Sequence, residues 1–199
     1  STGDSSGGTA GVVRILVGDS VNGIGSDVSL VGGDAVGSSS ATGGSVYVYG
    51  GMSEASTSGS VFLYTVNAGV TGVSGDVKFS TGTASVGNSG EVLLSSGSAS
   101  SGKGGSITFS VGSGDEGGGS VYISSGHTSS SSHDAGNIQV SAGHGGQGGG
   151  VSVFAGDGST RSGGSIFFSA GYGLETSSGS VTFVTANAGL SGSSGAISF

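Results

Sequence analysis

Six residues with ligand chemistry fall in one column of the sequence: Asp4, Asp19, Asp34, His127, His144 and Asp157, each one residue past a recurring glycine. Carboxylates stacked on successive repeats repel one another and would be relieved by a hard cation, for which Ca²⁺ is the natural candidate. Imidazole and carboxylate together, as at His127, His144 and Asp157, suit a transition metal better. The same residue types also serve as turn residues that bond to nearby backbone, and Asn67 and Asn187 in this column fit that plainer use. Catalytic constellations are thin. Gly112-x-Gly114-x-x-Gly117 matches a dinucleotide fingerprint as a string, but no helical pattern follows it. Lys103, within Ser101-Gly102-Lys103-Gly104-Gly105, does not stand in a phosphate loop, and His133-Asp134 ends a serine-rich insertion that reads as a loop. The chain is not expected to be an enzyme.

What must position these residues is a short repeat. Its apolar anchor falls at Val13, Val28, Val46, Val61, Val77, Val92, Ile107, Val121, Ile138, Val151, Ile166, Val181 and Ile197, with spacings of 13 to 18 residues, of which 15 is the commonest. The residue two past each anchor is always apolar, from Ile15 and Leu30 to Phe183 and Phe199. Alternation of β-branched and aromatic residues with period two predicts a strand with one covered face, and nothing shows a 3.6-residue rhythm. Glycine stands two residues before the anchor in twelve of thirteen units and, with Gly3 counted for the last, five residues after it in eleven. Val66 and Ala186 are the two departures, and both belong to units carrying Asn-Ala-Gly.

A fixed period of this length predicts an all-β fold, a two-sided parallel β-solenoid (β-helix) of about thirteen coils of roughly 15 residues, forming a single domain over residues 1–199. Neighbouring coils would lie about 4.8 Å apart. One wall would hold the Val, Ile, Leu and Phe side chains, and the small residues seven past the anchor would form the other. The abundance of glycine, 48 of 199 residues, with serine argues instead for a flexible linker. A linker has no reason to keep apolar alternation at a fixed distance from its glycines, so the ordered reading prevails.

The remaining composition narrows the partners. Cysteine and proline are both absent, which removes thiolate chemistry and suits an uninterrupted ladder. Only 8% of residues are charged and the formal net charge is −8, a poor match to nucleic acid. No apolar run approaches a membrane span. No Asn-x-Ser/Thr sequon occurs, while serine-rich loops are open to O-linked glycan.

Two surfaces are candidates for self-association. Residues one and three past the anchor point away from the covered face and include Tyr47, Tyr49, Phe62, Tyr64, Tyr122, Phe154 and Phe167, expected to pack rods side by side. The ends form the second surface. Joining Ile197, Ser198 and Phe199 to Ser1, Thr2 and Gly3 regenerates the repeat, and the step onward to Val13 and Ile15 keeps the spacing. Both ends are thus expected to be uncapped and to pair head to tail with another copy.

The chain resembles two groups of proteins. Units of the form Gly-Ser-Val-x-Phe-Ser-x-Gly are similar to those of Gly/Ser-rich repeat proteins of algal and other microbial surfaces, matrices and adhesives. That resemblance implies an extracellular or cell-surface structural role, as part of a filament, matrix or adhesive. In its short repeat and its wealth of Ser, Thr, Ala and Gly the chain also resembles the small β-solenoid antifreeze proteins. That likeness implies ice binding on a flat face. The outward column Arg14, Ser29, Tyr47, Phe62, Lys78 and Leu93 lacks the regular threonines such a face uses.

Overall fold

Glycine pairs, rather than strands, organise this chain. A computed structural model describes residues 2–37 and 41–199, and among them there is neither helix nor strand. This overturns the expected parallel β-solenoid. The reason lies in where the chain goes after each repeat. The amide of Gly59 donates to the carbonyl of Gly51 at 2.7 Å, Gly44 to Gly33 at 2.8 Å, Gly164 to Gly156 and Gly179 to Gly171 at 2.9 Å, and Gly136 to Gly126 and Gly149 to Gly143 at 3.0 Å. In every case the donor stands two before an anchor and the acceptor five past the preceding one. The chain therefore returns to the point it has just left. Between Gly51 and Gly59, and likewise from Gly126–Gly136 to Gly171–Gly179, the residues form a closed loop, where a solenoid would need them to run as a second wall beneath the next coil.

The irregular repeat spacing is explained by the same bonds. The shortest step, 13 residues from Ile138 to Val151, contains the Gly143–Gly149 closure, and the longest, 18 residues from Val28 to Val46, contains Gly33–Gly44. In the steps that these bonds close, the variation lies between the paired glycines, where it costs little: doubling a loop's length adds only about 0.6 kcal/mol of closure entropy. The two Asn-Ala-Gly units close differently. They lack glycine at the acceptor position, and instead Gly72 donates to Gly69 at 3.4 Å and Gly192 to Gly189 at 3.5 Å around turns at 70–71 and 190–191. At their bases Gly75 faces the Thr65 methyl and Gly195 that of Thr185.

Close backbone approach makes some of these glycines obligatory. A Cβ on Gly50 would run into the Gly59 carbonyl oxygen, and one on Gly32 into that of Gly44. Six of the described residues are half-buried: Gly32, Ser125, Ala155 and Ala170, each four residues past its anchor at the base of a loop, and Gly173 and Ala188, each seven past.

The chain divides into two units, Ser1–Ile107 and Thr108–Phe199. The Gly33–Gly44, Gly51–Gly59 and Gly97–Gly105 closures belong to the first, and those from Gly126–Gly136 to Gly171–Gly179 to the second. Neither unit has an interior among its described residues, since no side chain, apolar or polar, is buried. The alternation survives as a difference in exposure. Ile166 is 47% exposed and Phe168 62%, while Phe167 between them reaches 85%. Two faces exist, as the pattern requires, but nothing covers the apolar one. The chain exposes 19532 Å². A compact protein of 18.4 kDa exposes about 8,200 Å² and the fully unfolded chain about 26,700 Å².

Candidate self-association face

On the apolar face of the Thr108–Phe199 unit, three rings at the same position of successive repeats stand edge to face. Phe168 and Phe183 have ring centroids 6.3 Å apart at an interplanar angle of 80°, and Phe183 and Phe199 are 6.3 Å apart at 78°. This is the arrangement that aromatic quadrupoles favour, each pair contributing about 0.5–1.5 kcal/mol beyond burial of area. The anchors Ile166, Val181 and Ile197 stand two residues before these rings. No anchor in the chain, and no residue two past one, is charged, so all sixteen Lys, Arg, Asp and Glu residues lie elsewhere.

The opposite face shows the same spacing of two within a repeat. Tyr47 and Tyr49 stack with centroids 5.8 Å apart and planes 10° from parallel, and Lys78 Nζ meets Asp76 Oδ2 at 2.8 Å. Both partners of that ion pair are well exposed, so it contributes at most a few tenths of a kcal/mol to about 1 kcal/mol. Of the seven residues expected to pack laterally, Tyr47 and Tyr49 come together. Phe62, Tyr64, Tyr122, Phe154 and Phe167 are each exposed, and none pairs with another ring among the described residues.

Among the residues expected to join ends, Ser1 lies outside the described residues. Val13, Ile15, Ile197, Ser198 and Phe199 are exposed. The Thr2 methyl lies 3.1 Å from where a Gly11 Cβ would be, the same base contact that Thr81 makes with Gly90. Thr2 thus occupies a loop base in register with the rest, as does Gly3, which follows it.

The ligand-bearing column stays dispersed. Asp4, Asp19, Asp34, His127, His144 and Asp157 are all exposed, and no group of three or more His, Asp and Glu gathers among the described residues. His133 is more engaged. Its Nδ1 lies 2.9 Å from Ser130 Oγ and 3.1 Å from Ser132 Oγ, the two hydroxyls are 3.0 Å apart, and the Ser132 amide donates to Ser130 Oγ at 3.2 Å. The Ser130 amide donates in turn to Thr128 Oγ1 at 3.2 Å. Two hydroxyls on one ring nitrogen, all on a loop with no cavity beside it, tie the insertion to itself. The sequence reads here as a plain loop, without this ordering; serine one and three residues before histidine is the signal, since it puts Ser132 and Ser130 within reach of His133. Nor does that reading contain the glycine closures, although the fixed distances from anchor to glycine are in view.

No family model matches the sequence, and neither curated proteins nor solved structures give a match. No helix among the described residues is long and apolar enough to cross a membrane.

Proposed function

We propose that this chain is a structural protein that acts by associating with further copies of itself, as part of an extracellular filament, matrix or adhesive. One observation carries the reading: a chain with 33% hydrophobic residues, an apolar pair of which recurs on one face in every repeat, buries none of them alone among its described residues. Its exposed area is more than twice that of a compact protein of its mass. Apolar surface on this scale drives association. Repetition makes further copies the best-matched partners, because each presents the same side chains at the same spacing. The loops, rich in glycine and serine, form the hydrated side of the assembly, and the work done is mechanical.

The ice-binding alternative depended on a flat solenoid face. Without that face no observation favours it. Sedimentation velocity across a wide concentration range, with electron microscopy of the concentrated protein, tests self-association. Oligomers or fibrils that grow with concentration are expected. A chain that stays monomeric, with a random-coil circular dichroism spectrum throughout, overturns the reading.

A further inference from the structure

Within that reading, on which this inference rests, the structure assigns the contact surface. We infer that the face carrying Ile166, Phe168, Val181, Phe183, Ile197 and Phe199 is buried against the same face of a second copy of this chain.

Three observations converge. The first is area. Fully covering a Val or Ile removes about 60–120 Å² from water and covering an aromatic ring about 150–250 Å². At the observed exposures of roughly half to three-quarters, with Phe199 fully exposed, the apolar face of the Thr108–Phe199 unit offers about 1,000 Å² per copy. Two copies would bury about 2,000 Å², which reaches the range of permanent complexes. The second is charge. The chain carries a net −8, so two copies repel at most surfaces, yet no side chain of this face is ionisable and it can approach its like without leaving a charged side chain unpaired. The third is geometry. Phe168, Phe183 and Phe199 form a row of edge-to-face rings 6.3 Å apart. A second copy brings a row of the same spacing, so the two rows can lie against each other repeat for repeat. The opposite side of these repeats, with Thr182 and Ser198 beside Phe167, offers no comparable row.

Because every repeat presents the same pair of apolar positions, the match is not confined to one register. Two copies can pair offset by one or more repeats, leaving apolar repeats uncovered for a third copy. Dimer contact and open-ended growth then use one surface.

The test uses the full chain, which contains no cysteine. Phe168→Asp with Phe183→Asp on one hand, and Tyr47→Ser with Tyr49→Ser on the other, are compared with the unaltered protein by sedimentation velocity. The Phe pair is expected to raise the concentration needed for assembly by about thirtyfold or more, the effect of losing an interface hot spot, and the Tyr pair to change it less than about threefold. A second measurement uses single thiols that leave the face largely intact. With mild oxidant, Phe183→Cys is expected to give a disulfide-linked dimer and Thr182→Cys, on the other side of the same segment, little. If the unaltered chain assembles and the Phe variant assembles equally well, or the Thr182→Cys variant links as readily as the Phe183→Cys variant, this surface is wrong while self-association stands. A chain monomeric alone at every concentration overturns both, and if it then binds vesicles of neutral phospholipid, the occupant of the face is lipid.

Discussion

The glycines at the loop bases are the residues on which the observed arrangement depends most directly. Gly50 has no room for a Cβ because the Gly59 carbonyl occupies that space, whereas Gly51, its neighbour, faces open space. Gly50→Ala should therefore break the Gly59–Gly51 closure. The expected result is loss of amide hydrogen-exchange protection at Gly59, with Gly51→Ala much milder; equal protection in the two variants would contradict the geometry. Loss of one such bond is worth about 0.5–1.5 kcal/mol. Lys78→Ala, which removes the exposed ion pair to Asp76, should change stability by less than about 1 kcal/mol in a denaturation curve. Much of this scale could be read in advance. The distances from anchor to glycine marked Gly51 and Gly59 as special, but not that they bond to each other, since a coil corner and a loop base ask the same of glycine: close backbone approach.

At the scale of the element, the repeats closed by a glycine bond, such as those ending at Gly51–Gly59 and Gly171–Gly179, are an apolar segment of alternating exposure followed by a closed loop, and the two tolerate change differently. Four extra Gly/Ser residues between Gly51 and Gly59 should leave assembly within about threefold of the unaltered chain in sedimentation, because closure entropy grows slowly with length. One residue inserted between Val181 and Phe183 should instead weaken assembly strongly, since a shift by one sends the side chains that follow to the opposite face. If both insertions act alike, the division into loop and segment is wrong. Alternation at Ile166, Phe167 and Phe168 was legible from residue types alone, and their exposures follow it. The second wall was not. The small residues seven past each anchor suit a packed wall and a hydrated loop equally, and only the Gly171–Gly179 bond decides between them.

For the whole molecule, the controlling fact is the ratio of surface to interior. A monomer exposing 19532 Å² has little burial to offset the conformational entropy of ordering its backbone, so order and association should come together. Circular dichroism followed on dilution should show ordered signal disappearing at the concentration where sedimentation shows the oligomers dissociating. Salt supplies an independent check. With a net charge of −8 the copies repel, and raising ionic strength shortens the Debye length from about 30 Å at 0.01 M to about 10 Å at 0.1 M. Assembly through an uncharged face should then strengthen with salt, and weakening would point to contacts made through charges.

By itself the sequence determined the repeat, its two faces, the glycine positions and the acidic balance, because side-chain type and spacing are local properties of the chain. Tertiary structure decided what those repeats build. Whether the chain, on passing the glycine after Phe168, runs on beneath the next repeat or folds straight back depends on which carbonyl the Gly179 amide reaches. It reaches Gly171. That choice removes the second wall, leaves Phe168, Phe183 and Phe199 exposed on the single chain, and turns an expected core into a surface.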